Sequence, residues 1–461
     1  MAARSESALP AGLRAALRQR VGIDTRALAA FRIAVGAILV SDLWHRARDL
    51  VAFYTDAGVL PREASATVYP TLSTYSIHGL SGGARVQWLL FGLAAVLAVL
   101  LVVGYRTRAA AVGSWLLLAS LQFRNYLVLN GGDTVLLVAL FVALFLPLGE
   151  RWSLDALAAD GDERRPRVVG FGTAALLSQV VLIYATNAVF KLRSDAWTSG
   201  TAIPTVYRVD RFTVLLEEYL AGFPGLLSAA NYAWLGLLAA SPLLLVARSR
   251  GRTVLVGAFA VGHVGMYLTL DLGFFPHVML ACLLLFLPAG VWDHVEAALV
   301  RLDRSGSRRL DAPTILVVGL LWQGVALGYV SAPSATPVDP AEHSWKLFAP
   351  HPPTNDGWFV VNGTLASGAS VDLYPHADTL ETPPDDAATT YPTTRWRKYL
   401  SAVRRDEKVR RYFADYLCRW GHDRYGAPVD SLTIAYVRAP ATSPTDTARS
   451  DFGRYRCPVV D

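Results

Sequence analysis

Lys191 is the only lysine before residue 346, in a stretch where every other permanent cation is an arginine. The distinction is chemical: a lysine can give up its proton and act as a general base, whereas an arginine stays charged. Lys191 ends an apolar run, so it reads either as such a base or as a cation snorkelling to a membrane interface. His263 lies in the middle of another apolar run, and His277 lies just inside the next. A lone histidine on an apolar helix is more often a hydrogen-bonded structural residue than a catalyst. The turn Asp271-Leu272-Gly273 nevertheless draws these two runs together, and Asp133, after Asn130-Gly131-Gly132, opens a further run on the same face. This placement predicts one outward-facing cavity lined by Lys191, Asp133, His263 and His277. Arg32, inside the first apolar run, is expected to be held in a structural ion pair. Cys282 falls in an apolar run and reads as a packing residue. Cys418 and Cys457 lie near the C-terminus, where a disulfide and two separate thiols both remain open. No CxxC or Cys/His ligand spacing occurs, so no metal site is predicted.

The elements that would carry these residues are apolar. Of 461 residues, 53% are hydrophobic and 17% charged, against about 25% charged in an ordinary soluble domain. Runs long enough to span a bilayer fall near 27–45, 87–105, 108–127, 132–149, 169–190, 227–247, 253–271, 274–291 and 312–331. The segments that precede or join them are alternately Arg-rich and Arg-poor, which places the N-terminus in the cytoplasm and residues from about 332 outside. The first run follows an Arg-rich segment and lacks a small-residue cleavage site, so it reads as a membrane helix, not a cleaved leader. The net charge of +6 sits in these short clusters, a topology signal that gives no indication of nucleic acid. After residue 331 the long apolar runs stop. Strands are predicted over 358–365 and 369–374, joined at Ser367-Gly368, and over 431–437. A helix is predicted over 396–420 and a loop over 372–392. The expected fold is an α-helical polytopic membrane bundle of about nine transmembrane helices (1–331) with a small C-terminal α+β extramembrane domain (332–461).

Several motifs carry a resemblance. They are Leu28-Ala-Ala-Phe-Arg-Ile33, Phe53-Tyr-Thr-Asp-Ala-Gly-Val-Leu-Pro61, Asn130-Gly-Gly-Asp133, Trp152-Ser-Leu-Asp155 and Phe190-Lys-Leu-Arg-Ser-Asp-Ala-Trp197. His263 then precedes Gly273-Phe-Phe-Pro-His-Val-Met-Leu-Ala281, followed by Trp345-Lys-Leu-Phe-Ala-Pro350 and Asp356-Gly-Trp358. Together they resemble the HTTM family, whose best-characterised members are vitamin K-dependent γ-glutamyl carboxylases. The resemblance implies a membrane enzyme that uses a reduced quinone, vitamin K or menaquinol-like, with O2 and CO2 to carboxylate a protein or peptide glutamate at the outer face. It implies that Lys191 is the base that deprotonates the quinol and that His263 hydrogen-bonds or stabilises an anion. Asn130, Asp133, His277 and Trp197 would bind the cofactor. The chain departs from the animal enzymes at Gly131-Gly132-Asp133, where they carry a histidine. Three other functions stand beside this one: a different quinol-linked oxidoreductase, a transporter, and a non-enzymatic membrane scaffold or assembly factor. Against the transporter, no inverted repeat and no matched pair of broken helices is found.

Overall fold

A computed structural model describes residues 20–304, except 160–164 and 215, and residues 353–458, except 375–383, 385, 386 and 444. The first of these regions is helical. Its main helices are α1 (Thr25–Arg48), α2 (Ala84–Val103), α3 (Thr107–Arg124), α4 (Gly131–Ala143), α5 (Phe171–Leu192), α6 (Pro224–Ala239), α7 (Ser249–Thr269), α8 (Phe275–Leu284) and α9 (Ala289–Arg304). Eight of the nine expected runs coincide with α1 to α8. The ninth, 312–331, lies outside the described residues, as does the motif at 345–350.

Among the described residues, three helices are long and apolar enough to cross a membrane: α1, α2 and α5. A fourth span results if α8 and α9, which meet at 97°, form one broken crossing. Of the eight expected spans that fall on described residues, three or four meet this measure of length and composition. The reason is visible in the shorter and more polar helices. The 13 residues of α4 reach about 20 Å, and α3 carries Ser114, Ser120, Gln122 and Arg124, all buried inside the protein. The outward faces of several helices are apolar, with Leu89, Val254 and Val261 each more than 70% exposed. Exposed apolar surface of this kind suits lipid contact.

Local chemistry fixes the helix ends. Asp24 caps α1, its carboxylate accepting from the Arg26 amide at 2.9 Å. Gly104 ends α2 in the left-handed conformation, at φ 70°. Arg106 also has positive φ, and the following turn is secured by Asp155, which accepts from the Arg106 and Thr107 amides at 2.8 and 2.7 Å. The Trp152-Ser-Leu-Asp155 motif therefore holds the α2–α3 corner. Arg32 corrects its expectation. Its guanidinium donates to the backbone carbonyls of Leu148 and Trp152, not to a carboxylate. Helix α1 packs on α2 and α8, α4 on α8, α5 and α3, and α5 on α6, around a core that includes Phe31, Tyr184, Phe259 and Met279.

The C-terminal region is an antiparallel sheet of β1 (Asn355–Leu365), β2 (Ser370–Asp372), β3 (Val429–Pro440) and β4 (Ala448–Arg456), in the order β2-β1-β3-β4. Gly368, at φ 84°, permits the tight β1–β2 turn. The helix expected over 396–420 is two, α10 (Thr394–Arg405) and α11 (Glu407–Tyr425). Asp406 separates them, because its carboxylate accepts from the Lys408 and Val409 amides and starts α11 afresh. The sequence reading omitted β4, whose alternation is mostly polar. Cys418 on α11 and Cys457 just after β4 form a disulfide, with a Cα–Cα distance of 5.6 Å. Cys282 is free and buried.

Candidate functional site

Lys191 lies in the last turn of α5, a position set by the apolar helix that ends there. It is only 5% exposed, and its Nζ lies 3.3 Å from the centre of the Trp197 ring. Trp197 follows in the short helix Asp195–Thr198, and its carbonyl accepts from Asn231 Nδ2 on α6 at 2.8 Å. The bend after α5 thus folds the indole back over the amino group, where a cation–π contact stabilises its charge once it is protonated. Both side chains line a cavity of about 670 Å³ between α5, α6 and α7. Its walls are apolar and aromatic, with Tyr184, Trp234 and Phe275 among them, and Asn187 supplies an amide one turn before Lys191. Leu226 and Val261 also line it while being exposed, so its rim is continuous with the apolar exterior.

His263 stands directly behind this wall. It is fully buried, and its Nε2 is 2.8 Å from the Tyr184 hydroxyl. The Tyr184 ring stacks on Phe259 at 4.2 Å, while Trp234 and Phe275 meet the imidazole at 5.5 and 5.7 Å. His263 therefore touches three residues of the cavity lining without being one of the lining residues itself.

The Asn130–Asp133 loop and His277 are placed elsewhere. Asn130 caps α4, and its backbone N–H donates to Asp133 Oδ2 at 2.6 Å. Asp133 Oδ1 accepts from Arg46 at 2.6 Å and from Arg395 at 3.2 Å. Asp42 completes the cluster, receiving Arg46 Nε at 2.7 Å and a second bond from Arg395. Two carboxylates and two guanidiniums are thus buried together. His277 packs its ring on Tyr267 at 4.8 Å and Phe274 at 5.6 Å. Of the four residues expected to line one cavity, Lys191, Asp133, His263 and His277, only Lys191 does so; His263 stands behind the wall, and Asp133 and His277 lie elsewhere. The loop meets the cavity indirectly. A Cβ on Gly132 would lie 2.5 Å from the Phe275 amide nitrogen, so glycine lets the loop press against the residue that forms the wall.

The sequence reading missed the junction with the sheet region. Arg395 enters the buried cluster from α10 and also donates to the Val128 carbonyl at 3.1 Å. Beside it, Asp271 accepts from Thr394 at 2.7 Å and from Arg397 at 3.2 Å. Asp49 accepts from Thr393 and Trp396, each at 3.1 Å. The usable signal was Asp42 four residues before Arg46, an acid–base pair at the end of an apolar run. Asp42, Arg46 and Asp49 are all bound into this junction. Among the described residues, no group of three or more His, Cys, Asp or Glu side chains is arranged to hold a metal ion.

Residues 21–292, more than half of the chain, match the HTTM domain. The uncharacterized protein YitO of Bacillus subtilis (strain 168) is 29% identical over 108 residues, which is 23% of this chain and 35% of that protein. The chain thus spans about a third of that relative's length. No solved structure matches. The apolar helices and the extent of the domain match point to the membrane, and the chain belongs to the HTTM domain family.

Proposed function

We propose that this protein is a quinol-dependent membrane enzyme of the γ-glutamyl carboxylase type, with its quinol site in the cavity under Lys191 and Trp197. The observation that carries the reading is the pairing of one buried lysine and one indole in an otherwise apolar cavity of about 670 Å³. That volume falls within the range of sites for organic ligands. Flat aromatic walls suit a quinone ring, and a rim continuous with the apolar exterior suits an isoprenoid tail. When bound, a reduced quinone supplies the electrons that activate O2 and so generate a base strong enough for a glutamate γ-carbon.

The chain's own residues bind, orient and move protons. Lys191 Nζ accepts the quinol hydroxyl proton, and the Trp197 ring supports the resulting ammonium. Asn187 offers an amide to the ring oxygens. Tyr184, tethered to His263, sets one wall, and the apolar lining excludes water. Asn130 and Asp133 act by positioning, through the contact of Gly132 with Phe275, and His277 acts by packing on Tyr267 and Phe274.

We further infer the membrane layout: about nine crossings, with the N-terminus cytoplasmic and the sheet domain extracytoplasmic. The distribution of arginines supports this, and so does the disulfide, since such bonds persist in oxidising compartments.

The test is incorporation of labelled CO2 into a glutamate-containing peptide by purified protein with reduced vitamin K or menaquinol and O2. Wild type would be run beside Lys191→Ala and Lys191→Arg. The reading requires incorporation by wild type and its loss in both variants, because arginine keeps the charge but cannot take the proton. Wild-type inactivity with both quinols would favour a scaffold or another quinol-linked reaction.

A further inference from the structure

A second cavity, of about 190 Å³, lies where the Arg211 loop of the helical region meets α10 and the sheet. Arg211, Arg397, Lys398 and Arg404 all line it, and among the described residues no aspartate or glutamate does. Three of these cations and Ser401 come from α10, where the spacing of 397, 401 and 404, with 398 adjacent, puts them along one face.

Two of the charges are already answered. Arg397 is paired with Asp271 at 3.2 Å, and Arg211 lies 3.8 Å from Asp356, whose carboxylate also receives the Asp210 and Arg211 amides. Lys398 and Arg404 have no carboxylate within ion-pair distance among the described residues. Arg404 rests instead over the Tyr436 ring, at 5.1 Å. Burial, and then the neighbouring guanidiniums of Arg397 and Arg405, hold the Lys398 ammonium below its ordinary pKa, against the weaker pull of Asp133 and Asp271. Crowded like charges in excess of their counterions are unfavourable, and a further anion placed among them relieves the repulsion.

We propose that this cavity is a binding site for a phosphate-class dianion. The match is one of charge and donors. Among the described residues, four lining cations set against Asp271 and Asp356 leave an excess of about two positive charges, and a phosphate monoester carries about −1.5 to −2 at neutral pH. Lys398 supplies a point charge, Arg404 a planar fork and Ser401 a hydroxyl, while Tyr436 and the other aromatic rings keep the site partly dry. The chemistry is shared by a soluble phosphate or phosphomonoester and by the headgroup of a phosphatidic-acid lipid. The site is separate from the Lys191 cavity and does not depend on the quinol reading.

The experiment measures the melting temperature of the full-length protein against inorganic phosphate in detergent at constant ionic strength, with chloride as control. A parallel series uses nanodiscs of phosphatidylcholine with and without phosphatidic acid. Wild type is compared with the Lys398→Met/Arg404→Gln double variant and with Arg404→Gln alone, an exposed position whose change leaves the fold intact. Saturable stabilisation by phosphate that weakens about tenfold or more in the variants supports the site with a soluble ligand, since each charged hydrogen bond contributes about 1.5–3 kcal/mol. The same pattern with phosphatidic acid alone supports it with a lipid ligand. Absence of both effects in wild type, or equal effects in wild type and variants, overturns it.

Discussion

Replacing Arg395 with methionine should loosen the docking of the sheet region on the helices. Arg395 is buried, and it bonds to Asp42, to Asp133 at 3.2 Å and to the Val128 carbonyl at 3.1 Å. In the intact cluster two guanidiniums balance two carboxylates. Methionine keeps the length but leaves both carboxylates to Arg46 alone. Breaking a buried charge cluster by removing one partner costs about 3–5 kcal/mol. Hydrogen exchange of the α10 amides reads the local opening free energy directly, and a loss of that size accelerates exchange by about 10² or more. Adding Asp133→Asn restores the charge balance and should recover about 0.5–3 kcal/mol, the range of coupling between contacting groups. If Arg395→Met alone changes the opening energy by less than about 0.5 kcal/mol, the size of an ordinary surface effect, the cluster does not hold the junction. If the double variant is no more stable than the additive sum, charge balance is not the reason.

Other perturbations follow from the same geometry. Reducing the Cys418–Cys457 bond, which spans 39 residues, should destabilise the sheet domain by about 4 kcal/mol on the chain-entropy estimate. Melting with and without reductant, beside a Cys418→Ser/Cys457→Ser variant, checks this, and an unchanged melt would contradict it. Tyr184→Phe should cost about 1–3 kcal/mol because His263 Nε2 loses its buried partner. The same variant should lower carboxylation less than Lys191→Ala does, and equal loss would mean that the hydroxyl itself is chemical. Gly132→Ala should destabilise by about 1–3 kcal/mol, since the new methyl meets the Phe275 backbone at 2.5 Å. A melt within experimental error of wild type would show that α4 and α8 are free to separate.

Much of the helical region was legible in advance, because apolar runs and Arg clusters are one-dimensional signals. The positions of α1 to α8 were given by run length, and the β1–β2 turn by Ser367-Gly368. The split between α10 and α11 was missed because the apolar periodicity continues through Asp406, and only its side-chain cap shows the break. Strand β4 was missed because it alternates with too few apolar residues to register.

What the sequence alone determined was therefore the family, the apolar helices and the singular status of Lys191, since each depends on residue type and local spacing. The tertiary structure decided which of the candidates share a space. It brought Trp197 over Lys191 in one cavity, set His263 behind Tyr184, and turned Asp133 away into a cluster with Arg395, 262 residues distant in the chain. No local pattern carries that information, because a buried carboxylate is satisfied by whichever cation the packing of distant elements delivers to it.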